Sequence, residues 1–129
     1  MKPIPIPGAP GDLLDKISIL QIKVEKIKDA LKRANASLEL ALLSDLRDKE
    51  LPTSVDLERL FIDLKSVNET LWQIEDDIRS HERIGDFGTS FVELARGVYH
   101  QNDRRAALKR QINTLLGSDI VEEKSYTVY

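Results

Sequence analysis

The sequence predicts an all-α protein: an antiparallel helical bundle of three long helices plus one short helix, with coiled-coil-like packing and an extended proline-rich N-terminal arm. Three observations support this fold class. Apolar residues recur at alternating intervals of four and three over three long segments, which is the spacing of one buried helix face. No segment has the pattern of a strand. Leucine, isoleucine and charged residues are abundant, and only 5% of the residues are aromatic, which is typical of long amphipathic helices.

The length of 129 residues is that of one domain and suffices for a self-sufficient hydrophobic core. Within it we predict three parts: an extended arm over residues 1–11, a helical bundle over 12–117 and a C-terminal tail over 118–129. Four apolar side chains of the tail could pack back on the bundle: Ile120, Val121, Tyr126 and Tyr129.

The arm, "MKPIPIPGAPG", has four prolines in its first ten residues and therefore cannot be helical. We expect a polyproline-like extended segment. Two interpretations remain open. The arm is either a floppy or surface-docked tail, or a strap that uses Ile4 and Ile6 as anchors on a neighbouring helix or subunit.

The first long helix is predicted to begin after Asp12, which can cap it because a carboxylate is favoured at the positive end of a helix. Asn35 and Ser37 are expected to interrupt it, and "SLELALLSDL" then forms the short helix. Pro52 in "DKELPTS" ends that segment, since proline restrains the preceding residue and lacks a donor. The apolar stripe of the first helix comprises Leu13, Ile17, Leu20, Val24, Ile27, Leu31, Ala34 and Leu38.

Thr53 or Ser54 is predicted to start the second long helix, and the two glycines of "IGDFGTS" are predicted to end or kink it. Its stripe comprises Leu57, Leu60, Leu64, Val67, Leu71, Ile74, Ile78 and His81. Ser90 and Glu93 form a capping-box pattern for the third long helix, and Gly117 suits its C-terminal cap. The stripe of the third helix comprises Phe91, Leu94, Val98, Gln101, Arg105, Leu108, Ile112 and Leu115.

Gln101 and Arg105 interrupt the apolar stripe of the last helix, in "GVYHQNDRRAALKRQIN". If this helix folds back on the preceding one, facing residue numbers sum to roughly 173, so that Arg105 lies level with Asn68. A guanidinium inside a bundle must be paired, and we expect Glu75 to be its partner. Three alternatives stay open: a buried pair that fixes register, a helix break with Arg105 in solvent, or a ligand site.

The ligand-site alternative gathers polar residues of three helices. Lys16 and Lys23 are seven residues apart and hence on one helix face, and Arg105 could join them in clamping a phosphate or carboxylate. The candidate ligand-binding residues are Lys16, Lys23, Trp72, Glu75, Arg79, Tyr99, Asn102 and Arg105. No catalytic residue can be assigned from the sequence.

The chain contains no cysteine and two histidines, so we expect no disulfide, no metal centre and no cofactor. Its net charge of −3 and the lack of a basic stretch with interleaved aromatic residues argue against nucleic-acid binding. No segment has the pattern of a signal peptide or a membrane span, so a cytoplasmic protein is expected.

The stretches "PGDLLDKISILQIK", "LWQIEDDIR", "DFGTSFVELARGVYHQNDRRAALKRQIN" and "VEEKSY" resemble an uncharacterised bacterial family, a domain of unknown function, over about residues 7–126. The resemblance implies a short protein often encoded near glycosyltransferase and surface-polysaccharide genes, and hence a role in or beside envelope polysaccharide assembly. It assigns no activity. The family pattern covers Asp15, Lys16, Lys23, Trp72, Glu75, Asp76, Arg79, Asp86, Phe87, Arg96, Tyr99, Asn102, Asp103, Arg105, Lys109 and Asn113.

Three functions remain open. The first is a non-catalytic accessory module that binds a partner protein or a small anionic ligand in connection with envelope polysaccharide metabolism. The second is a small all-α enzyme that clamps an anionic metabolite with Arg and Lys and uses Glu75 as acid or base. The third is a structural oligomerisation protein, because long heptad helices with a proline arm readily self-associate; a homodimer is expected.

Overall fold

A computed structural model describes residues 1–129. It contains four α-helices and no strand: α1 spans Pro10–Lys26, α2 Ala30–Glu50, α3 Val55–Ile84 and α4 Thr89–Leu115. The prediction of an all-α fold is confirmed. None of the four helices combines the length and the apolar character that crossing a membrane requires.

The segment predicted as the first long helix is two helices, so the predicted interruption at Asn35 and Ser37 is wrong. The chain turns at residues 27–29, where the backbone becomes extended. The carboxylate of Asp29 accepts a hydrogen bond from the N–H of Lys32 at 2.8 Å and so caps α2. The heptad spacing of apolar residues continues unchanged through this turn, and periodicity alone therefore does not reveal it.

Several other helix ends follow their sequence signals. Ser54 caps α3, as predicted, by accepting a hydrogen bond from the N–H of Leu57 at 3.1 Å. Gly85 ends α3 with φ = 70°, and Gly117 follows α4 with φ = 64°. Both are left-handed conformations, which glycine adopts without steric cost. Pro52 lies in the break between α2 and α3, also as predicted.

Two predicted N-caps are wrong. α1 begins at Pro10, ahead of Asp12, because proline needs no N–H partner in the first turn of a helix. α4 begins at Thr89 with Gly88 at its N-cap, so that Ser90 already lies inside the helix. α4 then continues without interruption through "QNDRR", and the alternative of a helix break there is wrong.

α3 and α4 form the most extensive helix–helix contact of the protein. Near the turn that joins them, the rings of His81 and Phe91 lie 6.4 Å apart. Further along, Gly97 leaves room for Ile74, whose Cδ1 would lie 3.1 Å from a Cβ at that position. Late residues of α3 thus contact early residues of α4, and the two helices form a hairpin.

α1 crosses this hairpin at an angle. Glu25, near its end, bonds Lys65 of α3 at 2.7 Å, and Asp15, ten residues earlier, bonds Asn68 of α3 at 2.9 Å. Ten residues of a helix span about 15 Å, whereas Lys65 and Asn68 are less than one turn apart. α1 therefore lies obliquely across α3, since packing of the coiled-coil type would need equal spacing on both helices.

The hydrophobic core lies where α1 crosses the hairpin. Ile17, Leu64 and Ile112, one each from α1, α3 and α4, are completely buried. Full burial of such a side chain contributes roughly 1.5–3 kcal/mol. α2 packs on α1 alone, and Leu40 and Leu43 are the side chains that it adds to the margin of the core.

The two chain ends outside the helices differ in how they contact the bundle. Ile4 and Ile6, the expected anchors of the arm, are exposed. The C-terminal segment turns back along α4, since Glu122 bonds Lys109 at 3.0 Å and the ring of Tyr129 packs on aromatic rings of α4. All four apolar side chains expected to pack back are nevertheless exposed: Ile120, Val121, Tyr126 and, despite its ring contacts, Tyr129.

The start of α1 packs against the backbone of α4. The N–H of Gly11 donates a hydrogen bond to Asn113 Oδ1 at 2.7 Å. A Cβ on Gly11 would lie only 2.6 Å from the carbonyl oxygen of Lys109. Ala9 is buried as well, so the last residues of the proline-rich segment belong to the packed structure.

Gly11→Ala is expected to lower the free energy of unfolding by about 1–3 kcal/mol, because the added methyl group must displace the backbone of α4. Chemical denaturation followed by circular dichroism measures this loss. Gly8→Ala is the control, since a Cβ there meets nothing closer than the carbonyl oxygen of Ile6 at 3.9 Å. Equal stabilities of the two variants would contradict the close packing of α1 on α4.

Candidate functional site

The polar centre of the protein is an ion pair between α1 and α4. Arg105 Nε donates to Asp15 Oδ1 at 2.8 Å and Arg105 Nη2 donates to Asp15 Oδ2, so the pair is bidentate. The Asp15 side chain is only 8% exposed, whereas the Arg105 side chain is 30% exposed. The hydrogen bond to Asp15 raises the pKa of the Arg105 guanidinium, which therefore stays charged.

Two buried polar residues complete this centre. Asn68 Nδ2 of α3 donates to Asp15 Oδ1 at 2.9 Å and to Ser18 Oγ at 2.7 Å. Ser18 Oγ in turn donates to the carbonyl oxygen of Asp15 at 2.7 Å. No buried side-chain nitrogen or oxygen of the protein lacks a partner. Three helices are thus joined through Asp15, and its charge is compensated where burial would otherwise be costly.

A second set of ion pairs lies one turn further along α4. Lys109 Nζ contacts Asp12 Oδ1 at 2.9 Å and Glu122 Oε2 of the tail at 3.0 Å. Burial lowers the pKa of Lys109, but its hydrogen bonds to Asp12 and Glu122 outweigh burial, and the pKa is raised. The hydrogen bond from Lys109 lowers the pKa of Glu122. Lys109 therefore ties both α1 and the tail to α4 while the two carboxylates are ionised.

The spacing of these residues explains the polar stretch within α4. Arg105, Lys109 and Asn113 follow at intervals of four, so they share one face of the helix. All three bond residues of α1. Arg105 stands in the apolar stripe because α1, which carries its partner, crosses α4 at this point.

The expectation that Glu75 pairs with Arg105 is wrong. Glu75 is half exposed, and its ion pair is with Arg79 of the same helix at 3.6 Å. The periodicity of the sequence relates α3 to α4 through a short turn, but it does not position α1. Pairing α3 with α4 from their periodicity therefore cannot predict that the carboxylate beside Arg105 comes from α1.

An open cleft of about 470 Å³ lies beside the ion pair, between α1, α3 and α4. Its apolar wall is formed by Ile19, Ile22 and Leu71, next to the indole of Trp72. Its polar lining consists of Asn68, Glu75, Asp76, Arg79, Asn102 and Arg105. No group of three or more His, Asp or Glu side chains in the protein is close enough to hold a metal ion.

The cleft gathers five of the eight candidate residues: Trp72, Glu75, Arg79, Asn102 and Arg105. The other three do not line it. Lys16 is largely exposed and bonds Glu39 of α2 at 3.0 Å, and the ring of Tyr99 packs on that of Tyr129, 5.2 Å away. Lys23 is half-buried outside the cleft. The structure therefore does not bring the two lysines and the guanidinium together as a clamp.

Four residues of the site are not among the eight candidates: Asp15, Ser18, Asn68 and Asp76. The family pattern covers Asp15 and Asp76, and the hairpin register places Asn68 level with Arg105. Asp15 carries a signal, because it shares a helix face with Ile22, seven residues later, which is almost completely buried. A carboxylate on a buried face needs a cation, and this indicates a partner on another helix. Ser18 carries no such signal, since uncharged polar residues also occur on exposed faces.

Residues 5–129 match a family model described as "Family of unknown function (DUF6165)". The match includes every residue of the ion pairs and of the cleft. The resemblance of the sequence to a domain of unknown function is confirmed at that level. No curated protein and no solved structure matches the chain.

Arg105→Leu is expected to lower the free energy of unfolding by about 3 kcal/mol, because it leaves the carboxylate of Asp15 buried without its cation. Urea denaturation measures the loss. Arg104→Leu is the matched control, since Arg104 is exposed on the same helix. A substitution at such a position changes stability by about 0.5 kcal/mol at most.

The double variant Asp15→Leu/Arg105→Leu shows whether that loss comes from the unpaired charge. Replacing both partners by apolar side chains is expected to recover most of the stability that Arg105→Leu loses. A double variant that is less stable than Arg105→Leu would disprove the role assigned to the ion pair.

The tail is expected to detach from Lys109 in acid. Because the hydrogen bond from Lys109 lowers the pKa of Glu122 in the folded protein, the contact stabilises the tail above the ordinary pKa of a glutamate, about 4.3, and is lost as the pH falls through the lowered pKa. Amide chemical shifts of residues 118–129 report the change. Glu122→Gln should show them already shifted at neutral pH, whereas Glu123→Gln, at an exposed neighbour, should match the unmodified protein; identical spectra for the two variants would refute the contact.

Proposed function

The chain belongs to the DUF6165 family of unknown function, and from this premise we propose that it is a non-catalytic protein that binds a sugar phosphate or a nucleotide sugar in the cleft beside Trp72. One observation carries the proposal. A flat indole, a guanidinium already neutralised by Asp15 and the carboxylate of Asp76 meet in one open cleft. This combination suits a ligand with a ring and many polar substituents.

The apolar wall favours a ligand that contains a ring. An indole combines a large apolar face with a single N–H donor, so it suits molecules that are apolar on one face and polar at their edge. A sugar or a nucleobase has this character. A phosphate or a small dicarboxylate alone has no group for Ile19, Ile22, Leu71 and Trp72 to contact.

The polar lining favours hydrogen bonds over simple charge attraction. The carboxylate of Asp76 and the amide of Asn102 can accept hydrogen bonds from hydroxyl groups. Arg105 uses Nε and Nη2 for Asp15, which leaves Nη1 free to donate to a phosphoryl oxygen. Because Asp15 already balances the charge of Arg105, we favour an anionic ligand that carries a sugar over a bare anion.

The openness of the cleft favours binding over catalysis. Acid–base and electrostatic catalysis gain most in sites from which water is excluded. Glu75, the residue expected as acid or base in the enzyme alternative, has a half-exposed side chain. The geometry therefore supports an accessory binding role better than it supports a reaction.

A ligand with a sugar also agrees with the link to surface-polysaccharide genes that the family resemblance implies. As part of this proposal, the protein acts in the cytoplasm beside the enzymes that assemble envelope polysaccharides. The predicted bundle over residues 12–117, which α1 extends to Pro10, carries the site, and residues 1–9 and 118–129 flank it.

Trp72 is the only tryptophan of the chain and reports directly on the cleft. We expect a hexose phosphate or a nucleoside diphosphate sugar to change its fluorescence saturably and to raise the melting temperature. Inorganic phosphate alone is expected to produce the same changes only at concentrations at least tenfold higher than those of the sugar-bearing ligands. The proposal would be contradicted if no sugar-bearing ligand changed the fluorescence of Trp72 or the melting temperature.

Asp76→Asn is expected to weaken binding of the sugar-bearing ligand about tenfold, the effect of losing one charged hydrogen bond. Stability should stay unchanged because Asp76 is exposed. Asp77→Asn is the matched control: Asp77 is the next residue of α3, accepts a hydrogen bond from Gln73 and does not line the cleft. Equal affinities of the two variants for the sugar-bearing ligand would show that Asp76 does not contact it.

A further inference from the structure

We propose that α2 carries a self-association surface whose occupant is α2 of a second copy of this chain, in antiparallel orientation. Four leucines on one side of α2, here called the leucine stripe, are exposed although they are large and apolar. They are Leu31, Leu38, Leu42 and Leu46, with exposed fractions of 72%, 65%, 53% and 44%. The proposal is independent of the cleft, which none of these residues lines.

The leucine stripe follows from the spacing of its members. The first two are seven residues apart and the next two follow at intervals of four, so all lie within roughly a third of the helix circumference and extend ~23 Å along the axis. Leu40 and Leu43, in contrast, pack towards the core. α2 therefore carries two apolar faces, of which α1 covers one.

The charges beside the stripe identify the occupant. Lys32 and Glu50 are separated by about five whole turns of α2, so they lie on the same side of the stripe. Both are exposed, and neither side chain forms an ion pair within the chain. In an antiparallel pair of α2 helices, Lys32 comes opposite Glu50 of the partner subunit. In a parallel pair, this flank of the two helices would lie on opposite sides of the interface, and Lys32 and Glu50 would not meet.

A second copy of the chain can both cover the exposed leucine stripe and supply oppositely charged partners for Lys32 and Glu50. Two-fold symmetry makes the surface self-complementary: with Lys32 opposite Glu50, the part of the leucine stripe from Leu38 to Leu46 covers the same part of the other copy, and the Lys32–Glu50 contact occurs twice. Leucines at intervals of seven and four also pack well into a facing helix of the same pattern. A different partner helix would have to supply both features, which α2 already carries.

Sedimentation equilibrium of the full chain over the micromolar range tests the proposal. The unmodified protein is expected to dimerise, and Leu38→Glu/Leu42→Glu is expected to raise the dimer dissociation constant at least tenfold. Leu115→Glu changes a leucine of α4 that is also 44% exposed and should leave that constant unchanged. Circular dichroism of dilute samples verifies that each variant is folded.

Two outcomes of that experiment would overturn the proposal. One is an unmodified protein that stays monomeric at every concentration, which would leave the leucine stripe to a different partner protein. The other is a dimer that persists in Leu38→Glu/Leu42→Glu.

Charge reversal tests the antiparallel orientation. Lys32→Glu and Glu50→Lys are each expected to weaken the dimer several-fold, because like charges then meet across the two-fold axis. The double variant Lys32→Glu/Glu50→Lys is expected to restore it, since opposite charges meet again. A double variant that dimerises more weakly than both single variants would overturn this orientation.

Discussion

The ion pair of Asp15 and Arg105 is the contact on which the rest of the structure depends. Asp15 is almost completely buried, so its charge is tolerable only with the guanidinium beside it. The pair determines where α1 crosses α4, and Asn68 ties α3 to the same point. The position of the cleft follows, because its walls are the three helices that meet there.

A buried ionic contact of this kind specifies geometry more than it adds net stability. Desolvation of the two charges offsets much of their attraction, and an apolar pair of similar size would hold the helices about as firmly. Two parallel hydrogen bonds, however, admit only a narrow range of orientations. The polar centre therefore specifies the relative position and orientation of the crossing helices, as a polar layer specifies the register of a coiled coil.

α1 also explains why the protein has two separate surfaces of interest. One side of α1 contributes to the core, the ion pair and the cleft, and α2 packs on α1 without touching the hairpin closely. The outer face of α2 is thereby left with its leucines exposed. The cleft and the leucine stripe share no residue, so ligand binding and self-association can be examined one at a time.

The sequence by itself determined the helices and many of their ends, because hydrophobic periodicity, proline and glycine act over a few neighbouring residues. It also showed that Arg105 needs a partner. It could not show the turn at residues 27–29, since the apolar spacing continues through it and no glycine or proline marks it. Only the tertiary structure chose Asp15 over Glu75. Periodicity tells which face of a helix is buried but not the angle at which that helix crosses its neighbours, and the oblique path of α1 decides which carboxylate reaches the guanidinium.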